Sequence, residues 1–152
     1  MIIRDAQVGD VEAIYGLITF YAELDRMLFR QKADIYEYLQ TFKVAELDGE
    51  IVGCSALQVV WSDLAEVKSL AVGENCKGKG VGKELVQGCL EKAKELGIAK
   101  VFALTLECGF FEKLGFVKID KAKLPMKVWS DCAKCSKQDH CDEFSYIHVI
   151  DY

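Results

Sequence analysis

The fold of this chain is decided by Leu70-Ala71-Val72 and, after a polar link, by Lys77-Gly78-Lys79-Gly80-Val81-Gly82-Lys83-Glu84-Leu85. An apolar run typical of a strand ends, three glycines alternate with other residues, and an amphipathic helix pattern begins at once. Glycine lets a backbone turn tightly and approach a ligand closely. The first turn of a helix leaves N–H groups without partners, and its dipole favours an anion. Because three lysines add positive charge, this stretch predicts a cradle for a diphosphate.

Two well-known phosphate-binding patterns do not fit this stretch. The loop of nucleoside triphosphatases needs Gly-Lys followed by Ser or Thr, whereas Glu84 follows Gly82-Lys83. The dinucleotide fingerprint needs a glycine three places after Gly80, where Lys83 stands. What remains is Lys77-x-x-Gly80-x-Gly82 directly after an apolar strand. The alternative is a plain glycine-rich turn in front of a surface helix.

Length and composition limit the class of protein. A chain of 152 residues, 51% of them hydrophobic, favours one domain with a substantial core. The net charge of −5 argues against nucleic acid or an anionic membrane surface as a partner. We find no charged-then-apolar leader at the N-terminus and no apolar run of membrane-spanning length. Seven cysteines without an extracellular context favour a reducing cytoplasm.

The order of the predicted elements indicates an α+β fold with a mixed, mostly antiparallel sheet flanked by helices. Asp48-Gly49 between two apolar runs is a strong hairpin signal, and Gly97 is a good stop for the helix that follows the glycine loop. The predicted strands are 2–4, 42–47, 51–60, 65–72, 100–106, one that begins at Phe116, and 144–150. The predicted helices are one N-capped by Asp10, 33–40, 81–96 and one ending at Gly115.

A second signature lies one predicted strand after the glycine loop, in Phe110-Phe111-Glu112-Lys113-Leu114-Gly115-Phe116. Taken alone, it is only a short capped helix. In this order and at this spacing, however, the two patterns together resemble the GNAT acetyltransferase superfamily over residues 1–120. The resemblance implies acetyl-CoA as co-substrate. It implies cofactor contacts from Leu70, Ala71, Val72, Lys77, Gly78, Lys79, Gly80, Val81, Gly82, Lys83 and Phe111.

A narrower resemblance covers nearly the whole chain. The segments 42–46, 53–57, 64–72, 104–106, 110–111 and 124–129 look like the short, stand-alone amino-acid N-acetyltransferases of the N-acetylglutamate synthase type. This implies one domain over residues 1–152, with 121–152 as a C-terminal extension that closes the sheet. It implies direct transfer to L-glutamate in arginine biosynthesis. Glutamine, a peptide N-terminus and a non-catalytic acyl-CoA-binding module remain as alternatives, and a homodimer is compatible with the resemblance.

Glu66 is the candidate catalytic base, because it lies on the strand that leads into the glycine loop. Strand alternation predicts that Glu66 and Lys68 share a face with Leu70 and Val72, and a mostly apolar sheet predicts a raised pKa for Glu66. The alternative is an exposed carboxylate at a sheet edge. Many relatives protonate the leaving thiolate with a tyrosine at the position of Phe111, which has no such proton. Tyr146, Cys108 and bulk water are the remaining candidates.

Cationic side chains point to an acceptor that carries carboxylates. Arg26 and Arg30 are four residues apart, which is one helical turn, and guanidinium binds carboxylate with two prongs. Lys68 and Lys127 complete the predicted substrate-binding set. Solvated surface charge is the alternative for each of them.

The C-terminal extension carries a group of thiols. Cys132, Cys135 and Cys141 with His140 offer zinc-type ligands, but His140 and Cys141 are adjacent and leave no clean second pair. Free thiols or a disulfide are the alternatives, and we assign no metal site.

Overall fold

The computed structural model describes residues 1–124 and 144–152. The strands are β1 (Ile2–Asp5), β2 (Phe42–Leu47), β3 (Glu50–Trp61), β4 (Leu64–Val72), β5 (Lys100–Thr105), β6 (Val117–Ile119) and β7 (Phe144–Val149). The α-helices are α1 (Val11–Glu23), α2 (Lys32–Glu37), α3 (Val81–Glu95) and α4 (Cys108–Lys113). Lys127 and the candidate zinc ligands of the extension lie outside the described residues.

The seven strands form one sheet in the order β1-β2-β3-β4-β5-β7-β6. All neighbours are antiparallel except β4 and β5, which are parallel. Asp48 and Gly49 both adopt positive φ, at 51° and 81°, and close the tight hairpin between β2 and β3. The predicted α+β class with a mixed, mostly antiparallel sheet is confirmed.

The parallel pair is the feature that creates the site. β4 and β5 pair at three positions only: Leu64 with Lys100, Ala65 with Val101, and Glu66 with Phe102. Beyond Glu66 the two strands no longer pair, although β4 continues to Val72 and β5 to Thr105. A gap therefore opens in the sheet, and Glu66 lies at its closed end.

Helices cover both faces of the sheet, and each face has its own apolar core. On what we call the α3 face, Val86, Cys89 and Ala93 of α3 pack with Val67 and Ala103. On the α1 face, Val11, Ile14 and Ile18 of α1 pack with apolar residues that include Phe42, Val44 and Ala71. Gly53 of β3 lets α3 approach closely, because a Cβ there would lie 3.0 Å from methyl carbons of both Val81 and Leu85.

A β-bulge changes the predicted faces of β4. Cys54 pairs with Ala71 and Ala56 pairs with Lys68, so β4 holds one more residue than β3 between these two pairs. Ser69, inside the bulge, has φ 55°. Leu70 and Val72 consequently pack on the α3 face, whereas Ala71 packs on the α1 face. The prediction that Glu66 and Lys68 share a face with Leu70 and Val72 is wrong, because the extra residue reverses the alternation.

The N-terminal helices differ from the prediction in two details. Asp10 stands at the start of α1, but its carboxylate makes no capping bond to that helix. It accepts hydrogen bonds from the Gln7 amide and from the Arg4 guanidinium instead. The second helix is shorter than expected, with α2 ending at Glu37 and a 3-10 turn following at Leu39–Thr41.

Candidate active site

The glycine loop forms a turn whose shape requires glycine. Gly78 and Gly80 have φ values of 78° and 81°, and a Cβ on either would meet no atom within 4 Å. They are therefore selected for backbone conformation and not for lack of space. α3 begins directly after Gly80, and the Glu84 amide makes the first helical bond to the Gly80 carbonyl. The amides of residues 81–83 precede that bond and face outward at the positive end of a helix of 15 residues.

The lysines of the loop lie around this helix start. Lys77, Lys79 and Lys83 are all exposed, as a solvated anion requires. Lys77 Nζ lies 5.0 Å from the ring centroid of Tyr21, a residue of α1 that the sequence reasoning did not select. Exposed amides, positive charge and open space fit the diphosphate of a coenzyme A molecule.

The opposite wall of the gap is built by α4, which follows β5. Phe111 is 4% exposed and packs against Phe116 in the core of the α3 face, so its ring supports the wall from inside. Its neighbour Phe110 is half-buried and approaches the start of α3, since a Cβ on Gly82 would lie 3.3 Å from Phe110 Cζ. The structure therefore brings Phe110, which was not predicted, closer to the loop than the predicted Phe111.

Glu66 is buried in the middle of the sheet. Glu66 is 7% exposed, and in the sheet it pairs with Gln58 of β3 and with Phe102 of β5. The alternative of an exposed edge carboxylate is therefore excluded. Because Ala65 and Val67 point to the α3 face, Glu66 points to the α1 face.

Two of the predicted cationic residues lie on the same face as Glu66. Lys68 Nζ is 3.1 Å from Gln58 Oε1, beside Glu66 on β4. The guanidinium of Arg30 lies over the rings of Tyr38 and Phe42, at 5.6 and 5.3 Å from their centroids, and 3.4 Å from the Ser69 hydroxyl. Arg30 and Lys68 therefore approach the bulge of β4 from the side on which an acceptor would meet Glu66.

Arg26 follows a different path from Arg30. The segment between α1 and α2 is not helical, and Asp25 interrupts it with φ 61°, so the helical-turn argument for the pair is wrong. Arg26 forms an ion pair with Glu107, which lies between β5 and α4. Arg26 thus links the segment after α1 to the far wall of the gap.

The structure brings together two of the three candidates for the proton donor. Tyr146 of β7 is 2% exposed, and Cys108, half-buried, is the first residue of α4. Their mutual hydrogen bond, followed by burial, raises the pKa of Tyr146 to about 12. The spacing of Cys108 and Tyr146 in the sequence does not predict this contact, because it forms only once β7 pairs with β5.

The family follows from this geometry together with the sequence comparison. The sequence model of the acetyltransferase (GNAT) family matches residues 10–116, which include the glycine loop, Glu66 and α4. The chain belongs to the GNAT acetyltransferase family. This GNAT protein is accordingly an acetyl-CoA-dependent N-acetyltransferase, and acetyl-CoA is its co-substrate.

Curated relatives of this GNAT protein include short and long chains. It is 37% identical over 148 residues to an uncharacterized N-acetyltransferase of Chlorobaculum tepidum, covering 97% of this chain and 96% of that one. It is 37% identical over 136 residues to an amino-acid acetyltransferase of Mycobacterium tuberculosis, covering 88% and 78%. An amino-acid acetyltransferase of Neisseria meningitidis is 30% identical, but this chain spans only 32% of its length.

Solved structures show the same fold with ligands bound. The Mycobacterium tuberculosis protein Rv2747, in complex with CoA, matches with a TM-score of 0.85 and 31% identity over 99% of both chains. The N-acetylglutamate synthase of Neisseria gonorrhoeae, complexed with coenzyme A and N-acetyl-glutamate, matches with a TM-score of 0.90 and 27% identity. That match covers 99% of this chain and 35% of the synthase.

Within residues 1–124 and 144–152, no three His, Cys, Asp or Glu side chains cluster as metal ligands would. No helix in the same ranges combines the length and the apolar character that crossing a bilayer demands.

Proposed function

We propose that this chain transfers the acetyl group of acetyl-CoA directly to the α-amine of an amino acid, with L-glutamate as the acceptor. One observation carries the proposal: the gap between β4 and β5 has the start of α3 at its open end and the buried Glu66 at its closed end. A diphosphate at residues 77–83 would let an extended acyl arm run beside β4 toward Glu66. The acceptor would then enter from the α1 face.

Glu66 is the base in this proposal. An ammonium group must lose a proton before its nitrogen can attack a thioester, and a positioned carboxylate helps that step. Glu66 lies where the gap closes, beside the aromatic Phe102 and opposite Gln58. Main-chain N–H groups along the open edge of β4 are the donors that we assign to the developing negative charge on the carbonyl oxygen.

The departing thiolate needs a proton, and Phe111 has none to give. Tyr146 and Cys108 lie at the base of α4 and are hydrogen-bonded to each other, and bulk water is the third candidate. The hydroxyl of Tyr146 is protonated near neutral pH, and its raised pKa makes it a weaker acid than an ordinary tyrosine. We leave the choice among the three open.

Arg30 and Lys68 are the groups that we assign to the carboxylates of the acceptor. They lie on the same face as Glu66, and both carry charges that suit an acidic amino acid. Arg26 lies at the rim and would join them once its bond to Glu107 is exchanged for one to the acceptor. Lys127 stays a sequence-based prediction for the same pocket.

Direct transfer fits the state of the buried thiols. Burial raises the pKa of Cys54 to about 12 and that of Cys89 to about 11, so neither is a ready nucleophile near neutral pH. The name and the ligand of one relative of known structure, an N-acetylglutamate synthase, favour glutamate. The proposed setting is arginine biosynthesis in a reducing cytoplasm, and Cys54, Cys76, Cys89 and Cys108 are free thiols.

The test is release of the coenzyme A thiol from acetyl-CoA with a panel of acceptors. L-glutamate, L-glutamine, other amino acids and a short peptide are compared, and 2-oxoglutarate serves as the control because it has the carboxylates of glutamate without the amine. We expect the highest kcat/KM with L-glutamate and no acceptor-dependent release with 2-oxoglutarate. Absence of release with both glutamate and glutamine would overturn the proposal.

The alternative of a non-catalytic acyl-CoA-binding module is set aside, because the chain belongs to an acetyltransferase family and has an amino-acid acetyltransferase among its relatives. Calorimetry with coenzyme A, run beside the thiol-release assay, separates a failure to bind the donor from a failure to transfer its acetyl group.

A further inference from the structure

We propose that Tyr21 is a positioning residue for the cofactor loop, acting through the Val72 carbonyl and the Lys77 ammonium. This inference rests on the proposed placement of the diphosphate at residues 77–83. Tyr21 is on α1, so it holds the end of β4 and the start of the loop from another part of the chain.

The first contact lies on the open edge of β4. The Gly73 amide donates to the Val52 carbonyl of β3 over 2.8 Å, so this N–H points toward β3. The peptide between Val72 and Gly73 is trans, since the described chain contains no cis bond. In a trans peptide the C=O points away from the N–H, and the Val72 carbonyl therefore faces the gap. The Tyr21 hydroxyl donates to this carbonyl.

The second contact fixes a charge. Lys77 Nζ lies 5.0 Å from the centroid of the Tyr21 ring, within the range of a cation–π interaction. The ring is itself held, because Tyr21 is buried and meets Phe20 edge to face at a centroid distance of 5.0 Å. Lys77 precedes Gly78, whose backbone is the most permissive kind. A fixed ring beside a permissive turn keeps the ammonium near the helix start.

Both contacts act on the same short piece of chain, residues 72–77, which joins the end of β4 to the glycine turn. We infer that Tyr21 sets where the diphosphate lies relative to β4, and hence how far the acyl arm reaches toward Glu66. Loss of Tyr21 should therefore weaken the use of a donor that carries a diphosphate. A donor with the same thioester arm and no diphosphate should be affected much less.

The experiment compares Tyr21→Leu, Tyr21→Phe, Lys77→Ala and the Tyr21→Leu/Lys77→Ala double variant. The readouts are the coenzyme A Kd by calorimetry and the ratio of kcat/KM for acetyl-CoA to kcat/KM for S-acetyl-pantetheine. Each single loss of the ring–ammonium contact should lower this ratio about five- to tenfold, as a partly desolvated cation–π pair would. The double variant should fall by less than the product of the two single effects, because both single variants lose the same ring–ammonium contact.

Tyr15 and Lys32 provide a matched control. Tyr15 is on α1, as Tyr21 is, and Lys32 Nζ of α2 lies 5.0 Å from the Tyr15 ring centroid, so this pair repeats the ring–ammonium contact with a lysine of α2 in place of a lysine of the loop. Tyr15→Leu and Lys32→Ala should leave the ratio unchanged. Tyr21→Phe keeps the ring and removes only the hydroxyl bond, so it should lower the ratio less than Tyr21→Leu does. The melting temperature of each variant measures whether it folds.

Equal effects of Tyr21→Leu and Tyr15→Leu on the ratio would overturn the role of Tyr21, as would additive effects in the double variant. If Lys77→Ala lowers the ratio and neither Tyr21 variant does, the diphosphate site stands and only the positioning role fails. If Lys77→Ala and Gly80→Ala both leave the coenzyme A Kd unchanged, the diphosphate lies elsewhere and both proposals fail.

Discussion

Glu66 shows how a single position gains a chemical role from its place in the sheet. It is the last residue of β4 that pairs with β5, so it is held on two sides and still borders the gap. Because both neighbouring strands hold this residue, its carboxylate is already in position before the reaction starts, and no conformational entropy is lost to place it. Its neighbours on the α1 face, Lys68 and Arg30, carry the opposite charge.

The first prediction concerns the base. Glu66→Gln keeps the size of the side chain and removes its ability to take a proton, so kcat should fall by about 10²- to 10⁴-fold. The acidic limb of the pH–rate profile should disappear as well. Initial rates of thiol release with L-glutamate between pH 5.5 and 9 measure both effects.

Glu91→Gln is the control for this substitution, because Glu91 is exposed on α3. It should leave rate and pH profile as they are. A Glu66→Gln enzyme with the wild-type rate at every pH would remove Glu66 from the role of base.

The conformation of a single residue is predictable where a local pattern defines it. The spacing predicts the turn at Gly78 and Gly80, which their positive φ confirms, while the roles of the loop lysines and of Glu66 stay predictions. Tyr21, Phe110 and the Cys108–Tyr146 contact follow from no local pattern, because each depends on how remote elements pack. Arg26 and Arg30 were paired by helical spacing, but Asp25 breaks the helix and they reach different partners.

At the scale of elements, α3 combines two glycines of the same conformation at its two ends. Gly80 has φ 81° before the first turn, and Gly97 has φ 79° after the last. A Cβ on either would meet nothing within 4 Å. Backbone strain is therefore the same at both positions, while only Gly80 lies at the proposed diphosphate site.

The second prediction uses this pair. Gly80→Ala and Gly97→Ala should each lower the free energy of unfolding by about 1–2 kcal/mol, the cost of a left-handed non-glycine residue. Only Gly80→Ala should also weaken coenzyme A binding, because the strained turn displaces the amides of residues 81–83. Urea unfolding gives the first quantity and calorimetric titration gives the second. Equal coenzyme A affinities in the two variants would contradict the site at α3.

The elements themselves are largely predictable, and their irregularities are not. The observed bounds of β2 match the prediction. Those of β3 differ from it by one residue at each end, those of β4 by one residue at the start, and those of α3 by one residue at the end. Simple alternation fails at Ser69, because nothing in Val67-Lys68-Ser69-Leu70 signals an extra residue with φ 55°. The bulge depends on the partner strand, where Cys54 and Ala56 fix the register.

At the scale of the molecule, a charged network links β1 to β2 and to the start of α1. The Arg4 guanidinium donates to both carboxylate oxygens of Asp10, at 2.8 and 3.0 Å, and to Glu46 of β2 at 2.9 Å. The Gln7 amide donates to Asp10 as well, at 2.7 Å. The hydrogen bond from Arg4 lowers the pKa of Asp10 despite its burial.

The third prediction follows from this pKa. Because the folded-state pKa of Asp10 lies below its unfolded value, its contribution to stability is present above about pH 4 and is lost as the pH falls through the folded value. Asp10→Asn should lower the free energy of unfolding near pH 7 by about 1–3 kcal/mol, since Arg4 loses one of its two charged partners. The difference from wild type should shrink toward acidic pH. Denaturant unfolding at several pH values measures it.

Asp5→Asn is the comparison, because Asp5 pairs with Lys43 through a carboxylate that is 74% exposed. An exposed ion pair contributes little, so this change should stay within about 1 kcal/mol. A loss in Asp10→Asn that is no larger, or that does not depend on pH, would show that the network is not the link described above.

The overall architecture was accessible from the sequence because the order of elements around the glycine loop is characteristic of the family. The gap between β4 and β5 was not, since it depends on where pairing stops. In the proposed mechanism, the donor and the acceptor meet in this gap. We therefore propose that coenzyme A lies along β4 with its diphosphate at the start of α3.

The most direct test is an amide NMR titration of the isotopically labelled chain with coenzyme A. We predict that the signals of residues 67–72 and 78–83 shift together along one binding curve, while the Gly97 signal at the other end of α3 stays in place. This placement of coenzyme A would be contradicted if the largest shifts fell outside these two segments. It would also be contradicted if no signal shifted at saturating coenzyme A.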